Sequence, residues 1–122
     1  MYKVLVCDDE KDIVSAISIY LTSDGYEVIP ARNGMEALDI VKHNDVQLVL
    51  MDIMMPVMDG MTATRTIRSL SRADAKTIPI IAMTANAFDE DAKKCIAAGM
   101  NAHLTKPIEI DHVTEVLGQY CR

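Results

Sequence analysis

The feature that most constrains the fold is a short apolar run that ends in a carboxylate. The chain is almost uniformly apolar from Val46 to Met51, and Asp52 follows directly. A run of this length is typical of a strand that is buried on both faces of a sheet. Pro56 prevents the strand from continuing, and Asp59-Gly60 is a turn pair that precedes a helix. The pattern predicts a central strand with Asp52 at its carboxyl end.

Four further short apolar runs predict strands, and amphipathic stretches between them predict helices. The other strands are Lys3 to Cys7, Tyr26 to Pro30, Ile78 to Met83 and Asn101 to Thr105. Each connection is long enough for a crossover, so the strands are expected to be parallel with helices on both faces. This predicts the α/β class and a doubly wound, flavodoxin-like sheet. The alternation alone does not predict the order of the strands.

Helix boundaries are indicated by glycines and by polar residues. Gly25 and Gly99 are expected to end the first and fourth helices, and Asn33-Gly34 to open the second. Three acids, Asp89 to Asp91, suit the first turn of the fourth helix. The inward faces are predicted to contain Ile13, Ile17 and Leu21, then Leu38 and Val41, then Met61, Ile67 and Leu70, and finally Val113, Val116, Leu117 and Tyr120.

Length and composition bound the function. The 122 residues suffice for one domain, 1–122, and no apolar segment approaches the length of a membrane span. The amino terminus lacks the pattern of a signal peptide, so we expect a cytoplasmic protein without membrane insertion. The net charge is −6, and lysines and arginines do not cluster with aromatic residues. Direct nucleic-acid binding is therefore not expected.

The cysteines and histidines do not form a ligand pattern. Cys7, Cys95 and Cys121 lack C-x-x-C spacing, which predicts reduced cysteines that serve packing. His43 and His112 are predicted to lie on the surface.

Polar residues end four of the five predicted strands. Asp8 and Asp9 follow the first strand, Asp52 the third, Thr84 the fourth and Lys106 the fifth. Because the carboxyl ends of parallel strands share one edge, these side chains are expected to lie in one crevice. Taken singly, each is also an ordinary cap or turn residue. Their joint placement favours a common site.

Three neighbouring carboxylates repel one another unless a proton or a divalent cation is bound. Mg²⁺ fits this set because it prefers oxygen ligands and leaves positions for water and phosphate. A carboxylate beside Mg²⁺ and a lysine is suited to attack on a phosphoryl group, which gives an aspartyl phosphate. Thr84 is then placed to donate a hydrogen bond to the arriving group.

At this point the chain resembles the response-regulator receiver domains of two-component signalling. The matching motifs are VLVCDDE, LVLMDIMMPVMDG, IPIIAMTANA and AHLTKPI, and the resemblance covers residues 3–120. It implies the flavodoxin-like (βα)5 fold with strand order 2-1-3-4-5. It also implies a phosphorelay switch that accepts a phosphoryl group from a sensor histidine kinase or a histidine phosphotransfer domain and then changes its binding of a downstream partner.

The resemblance assigns a role to each site residue. Asp52 is the implied phosphoacceptor. Asp9 and Asp52 would bind Mg²⁺ directly, together with the backbone carbonyl of Met54, and Asp8 would bind it through a water. Thr84 would be the switch hydroxyl, and Lys106 would pair with the phosphate.

Several finer features follow from the resemblance. A cis peptide is implied at Lys106-Pro107. His103 stands where many receivers have a tyrosine or phenylalanine that rotates inward, so a switching role and a simple surface role both remain open. The motifs around His103 are similar to those of receivers that are fused to, or served by, hybrid sensor kinases. The implied partner surface is the fourth helix, the fifth strand and the fifth helix. Apart from the resemblance, Met54 and Asn86 flank the site and are expected to influence hydrolysis by admitting or excluding attacking water.

Three other functions are alternatives. An aspartate-nucleophile phosphatase would need an acid two residues after Asp52, where this chain has Met54. A flavin-binding electron carrier would need a phosphate loop in place of Asp8-Asp9-Glu10, whose charges repel phosphate. A scaffold that is never phosphorylated is opposed by the complete set of site residues. The chain is expected not to be an enzyme beyond its own phosphorylation and dephosphorylation.

Overall fold

A computed structural model describes residues 2–55, 57–71, 73–84, 89–106 and 108–120, with the side chains of 89–92 excluded. Five strands alternate with five helices along the chain. The elements are β1 (Lys3–Cys7), α1 (Lys11–Ser23), β2 (Glu27–Ala31), α2 (Gly34–His43), β3 (Leu48–Asp52), α3 (Gly60–Arg68), β4 (Ile80–Thr84), α4 (Asp89–Ala98), β5 (Ala102–Thr105) and α5 (Ile110–Tyr120).

The strands form one parallel sheet in the order β2-β1-β3-β4-β5. This confirms the predicted α/β class and the strand order that the resemblance implied. The register places Cys7 of β1 beside Met51 of β3, and Thr84 of β4 beside Thr105 of β5. The residues that follow these strands therefore lie at one level, along the carboxyl edge of the sheet.

Helices cover both faces of the sheet and bury β3 completely. Side chains alternate along β3, so that Val49 and Met51 face one apolar cluster while Leu48 and Leu50 face the other. Helices α2, α3 and α4 contribute to the first cluster, and α1 and α5 to the second. Burial on both faces explains why this strand is a nearly continuous apolar run.

Strands β2 and β5 begin one residue later than predicted, and β3 and β4 begin two residues later because other groups take their first hydrogen bonds. β3 begins at Leu48 rather than Val46, since the Gln47 side chain accepts from the Lys3 N–H at 2.7 Å in place of a backbone carbonyl. β4 begins at Ile80 rather than Ile78, whose carbonyl accepts from Arg68 at 2.7 Å. An apolar side chain can be buried without belonging to the regular ladder.

The predicted helix ends are confirmed at the glycines and caps that the structure describes. Gly25 and Gly99 have φ of 92° and 107°, a left-handed conformation that favours glycine. Asn33 caps α2, because its side chain accepts from the Glu36 N–H at 2.9 Å. Asp59 caps α3 in the same way, accepting from the Thr62 N–H at 2.8 Å.

Arg68 at the end of α3 joins three separate segments. Its guanidinium donates five hydrogen bonds, two of them to the Gly99 carbonyl at 2.7 and 3.0 Å. The others go to the carbonyls of Ala75 and Ile78 and to Oδ1 of Asn101. Burial lowers the pKa of Arg68. We call this set of contacts the Arg68 clamp.

Val57 carries backbone strain in the loop after β3. Its φ is 68°, and its side chain is 80% exposed, so little packing offsets the strain. The left-handed region costs a β-branched residue about 1 to 2 kcal/mol, whereas asparagine tolerates it. We expect Val57→Asn to raise the free energy of unfolding by about 1 kcal/mol, measured by urea denaturation. Val57→Ala keeps the strained Cβ and should gain less; equal gains for both would contradict this explanation.

The remaining predictions concern cysteines, the membrane and unplaced residues. Cys7 and Cys95 are buried, and neither forms a disulfide, as predicted. None of the helices, within the residues described, has the length and apolarity to cross a membrane. Cys121, Asn86, the peptide at Lys106-Pro107 and the side chains of Asp89 to Asp91 lie outside the described residues.

Candidate functional site

The structure brings the predicted strand-end residues together at the carboxyl edge of the sheet. Asp8, Asp52 and Thr84 are at most 3% exposed, although two of them are charged residue types. The Lys106 N–H donates to the Thr84 carbonyl at 2.8 Å, which holds the end of β5 against the end of β4. Polar side chains are rarely buried this deeply unless they are paired or functional.

Three carboxylates converge in this crevice. Oxygen atoms of Asp8, Asp9 and Asp52 all lie within 4.8 Å of one another. Asp52 Oδ1 accepts from the Met54 N–H at 3.1 Å, and Asp8 Oδ1 accepts from the Glu10 N–H at 2.9 Å. These hydrogen bonds orient both carboxylates through Oδ1 and leave Oδ2 of each available for other contacts.

Lys106 supplies the positive charge. Its Nζ lies 3.0 Å from Asp8 Oδ2 and 3.4 Å from Asp52 Oδ2. Burial by itself lowers the pKa of Lys106, but the two carboxylates outweigh burial and raise it above its ordinary value. The amine is therefore charged and bridges the two buried acids.

The single ammonium group of Lys106 does not neutralise three carboxylates, and the pKa of Asp52 is raised as a result. Burial raises the pKa of Asp52 to about 6, and the nearby charge of Asp8 adds to this effect. The Met54 N–H and Lys106 act in the opposite direction without cancelling it. Asp52 in the metal-free protein is thus held in an unfavourable charged state at neutral pH.

This shift predicts a pH-dependent stability. A carboxyl whose pKa is raised by folding binds its proton more tightly in the folded state, so the free energy of unfolding falls as pH rises from about 4 to about 6. For Asp52 the loss should be on the order of 2 kcal/mol. Urea denaturation with chelator at about pH 4 and at about pH 7.5 measures it. In Asp52→Asn the difference between these pH values should shrink; an unchanged difference would contradict the assignment.

The residues fit a divalent cation. Asp8 Oδ2 is buried, yet it accepts no well-directed hydrogen bond from the described residues and has only the ion pair with Lys106. The group offers oxygen ligands alone, the donor set that suits Mg²⁺ rather than softer metals. Asp9 is exposed, so a path for the ion from solvent remains open.

Two further sulfur-containing residues border the crevice. The side chain of Met54 is 74% exposed, while its backbone N–H contacts Asp52. Cys7 is buried, and its thiol donates to the Asn33 carbonyl at 3.2 Å and contacts Met55 Sδ at 3.4 Å. Burial raises the pKa of Cys7 far above its ordinary value, and the charge of Asp52 adds to this. The thiol is therefore protonated and unreactive.

Gly60 is important to the site but was interpreted from the sequence only as a turn residue. A Cβ at this position would lie 2.2 Å from the Asp52 carbonyl oxygen and 2.9 Å from Met51 Cγ. The start of α3 is thus packed directly on the backbone that carries Asp52. The only sequence signal for this contact is the Asp-Gly pair itself, which does not distinguish a turn from a close approach.

The histidines lie outside the crevice. His43 and His112 are exposed, as predicted. His103 is also exposed and lines a groove of about 480 Å³ between β5 and α5, together with Lys106, Glu109 and His112. Its outward position is compatible with a surface role, and its function as a switch residue stays a prediction.

Comparisons of this chain with a family model and with known sequences agree with each other. The family model described as the response regulator receiver domain matches residues 4–118. The sensor histidine kinase RcsC of Escherichia coli K12 is 36% identical over 117 residues, which make up 96% of this chain and 12% of that kinase. The chain thus spans about an eighth of the length of this relative.

Solved structures agree with the sequence relatives. The chemotaxis protein CheY4 of Vibrio cholerae has a TM-score of 0.92 at 30% identity over 98% of both chains. The receiver domain of the sensor histidine kinase PA1611 of Pseudomonas aeruginosa PAO1, with magnesium coordinated in its active-site cleft, has a TM-score of 0.88 at 34% identity over 98% of this chain and 96% of that one. The receiver domain of Saccharomyces cerevisiae Ssk1, solved with the histidine phosphotransfer protein Ypd1, has 0.89 at 26% identity, covering 98% and 88%.

Proposed function

The chain belongs to the response regulator receiver domain family, a signalling module of two-component systems, and on this premise we propose that Asp52 accepts a phosphoryl group from a phosphohistidine with the help of Mg²⁺. The observation that carries the proposal is the charge arrangement at the edge of the sheet. Three carboxylates lie within 4.8 Å of one another, and one lysine amine contacts two of them. Such a cluster is unfavourable unless a cation and an anion are to be bound there.

Each residue has a distinct part in this proposal. Asp9 and Asp52 would hold Mg²⁺ directly with the Met54 carbonyl, and Asp8 through a water. The ion, when bound, offsets negative charge on the transferring phosphoryl oxygens. Asp52 Oδ2 is the proposed nucleophile, because Oδ1 is occupied by the Met54 N–H. The Mg²⁺ of the Pseudomonas aeruginosa receiver supports this ion for the present chain.

Lys106 and Thr84 would respond to the phosphoryl group. Lys106 now divides its charge between Asp8 and Asp52 at 3.0 and 3.4 Å, so an anionic phosphoryl group on Asp52 would compete for it. Thr84 ends β4, and its backbone carbonyl accepts a hydrogen bond from the Lys106 N–H. Movement of either residue is therefore transmitted to the other, toward the proposed partner face of α4, β5 and α5.

The proposed donor is a sensor histidine kinase or a histidine phosphotransfer domain. The Ssk1 receiver forms a complex with the phosphotransfer protein Ypd1, which supports this class of partner. In the present chain, a mainly apolar groove of about 580 Å³ reaches Lys106 and is lined by Ile13, Ala16, Ile108 and Ile110, with Glu10 and Asp12 also in its lining. An apolar helix face of the donor would fit this groove and bring its phosphohistidine to the crevice.

The proposal describes a switch and not an enzyme that turns over a separate substrate. The domain would catalyse only its own phosphorylation and dephosphorylation, as a single unit of residues 1–122 in the cytoplasm. The phosphatase alternative still lacks an acid at Met54, whose exposed thioether donates no proton to a leaving group. A scaffold that is never phosphorylated does not account for the buried, charged cluster.

Intact mass spectrometry tests the proposal. The protein is incubated with a small acyl phosphate donor in the presence of Mg²⁺, and in parallel with chelator. We expect one added phosphoryl group with Mg²⁺ and essentially none with chelator. An adduct that forms equally well with chelator would contradict the role of the metal. If no adduct forms and a beryllium fluoride complex also fails to bind, the scaffold alternative replaces the proposal.

A further inference from the structure

Methionines are concentrated in the segment that follows the phosphoacceptor strand. Between residues 51 and 61, the sequence MDIMMPVMDGM has methionine at five positions. Their surroundings differ sharply. Met51 is fully buried, and three others are partly buried against the apolar cluster of α2 and α3, namely Met55, Met58 and Met61. Met54 alone of this group is exposed, at 74%.

A thioether is oxidised more readily the more it is exposed, so the differences in exposure among these methionines favour oxidation at Met54. Within the described residues, Met35 is the next methionine at 49% exposure, while Met83 and Met100 are at most 3% exposed. Cys7 does not compete, because it is buried and its pKa is raised by burial. Among the sulfur atoms of the described residues, that of Met54 is therefore the one at which a dilute peroxide would react first.

Met54 is also the residue whose chemistry can affect the site. It lies two residues after Asp52, and its N–H donates to Asp52 Oδ1 at 3.1 Å. Its apolar thioether is exposed to solvent, two residues along the chain from the carboxylate that would hold the phosphoryl group. A thioether orients water poorly, whereas a sulfoxide oxygen is a strong hydrogen-bond acceptor.

We infer that Met54 is a site of reversible oxidation by peroxides, and that its sulfoxide shortens the lifetime of the phosphoryl group on Asp52. The inference rests on the proposed function. In the forward step, hydrogen peroxide transfers one oxygen to the thioether sulfur and leaves as water. In the reverse step, a dithiol reductant reduces the sulfoxide to the thioether; the oxygen leaves as water and the dithiol becomes a disulfide. Methionine sulfoxide reductases catalyse this reaction.

The expected effect is modest because one polar group changes. A sulfoxide that holds an attacking water near the acyl phosphate adds about one hydrogen bond, which corresponds to a twofold to roughly tenfold faster hydrolysis. The direction follows from the change from an apolar to a polar group on the exposed residue that lies two positions after the phosphoacceptor. Phosphorylation would then report both the kinase signal and the peroxide level.

The first measurement is a peptide map after brief treatment with dilute hydrogen peroxide. It requires no phosphorylation, so it is independent of the proposed function. We expect sulfoxide at Met54 to appear earliest, with Met35 slower and Met51 protected. Oxidation of Met35 or of the buried methionines before Met54 would overturn the inference.

The second measurement is the half-life of the aspartyl phosphate before and after peroxide treatment. We expect a shorter half-life in the wild type and in Met35→Leu, and no change in Met54→Leu, whatever the starting half-life of that variant. Treatment with a sulfoxide reductase and dithiol should restore the wild-type value. An equal response of Met54→Leu, or no response of the wild type, would overturn the inference. If the untreated protein takes up no phosphoryl group, both the proposed function and this inference fail. If the adduct forms normally but peroxide leaves its lifetime unchanged, only this inference fails.

Discussion

Protein carrying Asp52→Asn should take up no phosphoryl group from an acyl phosphate donor, even with saturating Mg²⁺. The asparagine side chain has the same shape, but its amide offers no carboxylate oxygen for attack on phosphorus. It also removes one of the two carboxylates proposed to hold the metal directly. Intact mass spectrometry after incubation is the measurement, and the expected change is complete loss of the adduct.

The loss can be separated from unfolding. Asp52 is buried beside Asp8, and burial raises its pKa to about 6, so removing its charge should leave the metal-free protein at least as stable as the wild type at neutral pH. Asp59→Asn is the matched control. Asp59 is an exposed acid of the same loop that caps α3, and asparagine can keep that cap. This variant should form the adduct normally, while an adduct on Asp52→Asn would place the nucleophile elsewhere.

Gly60→Ala should damage both the fold and the site. The new Cβ would lie 2.2 Å from the Asp52 carbonyl oxygen, and backbone cannot yield as a flexible side chain does. We expect the free energy of unfolding to fall by about 2 to 3 kcal/mol, despite the higher helix propensity of alanine. Phosphorylation by the acyl phosphate donor should slow at least about tenfold, because Asp52 is displaced from its position for attack.

Gly118→Ala is the control for this substitution. Gly118 lies within α5, and a Cβ there meets nothing within 4 Å. Alanine should therefore stabilise the protein by about 0.5 to 1 kcal/mol and leave the rate of phosphorylation unchanged. Urea denaturation and the time course of the adduct compare the two variants. Equal stability of both alanine variants would show that the contact between α3 and the end of β3 is not rigid.

The sequence predicts the architecture well because local pattern and global fold agree. The apolar run before Asp52 needs burial on both faces, and only a central parallel strand supplies it. Gly25 and Gly99 have the left-handed backbone that glycine favours at helix ends. The order of the strands was not predictable from the alternation of elements and came from the resemblance instead. Polar residues at the ends of separate strands were sufficient to predict the crevice, because parallel strands end on one edge.

The features that the sequence did not reveal depend on contacts between distant residues. Nothing next to Gly60 in the sequence shows that the Asp52 carbonyl lies against it. The later start of β4 has a similar cause, since Arg68, ten positions before Ile78, takes the carbonyl that would open the strand. The raised pKa of Asp52 likewise depends on burial and on Asp8, which is far away in the chain. Such effects follow from packing and not from periodicity.

The Arg68 clamp has a consequence for how the sequence can vary. Four of its five hydrogen bonds end on main-chain carbonyl oxygens, those of Ala75, Ile78 and Gly99, which every amino acid possesses. The side chains of residues 75 and 78 can therefore change without loss of these hydrogen bonds, provided that the backbone keeps its path. Asn101, which accepts through its side chain, and Gly99, whose φ is 107°, are more restricted. Arg68 has no such freedom, since lysine lacks the planar fork that serves several acceptors at once. Among relatives with this fold we therefore expect an arginine that is seldom replaced, beside a turn whose side chains vary more freely.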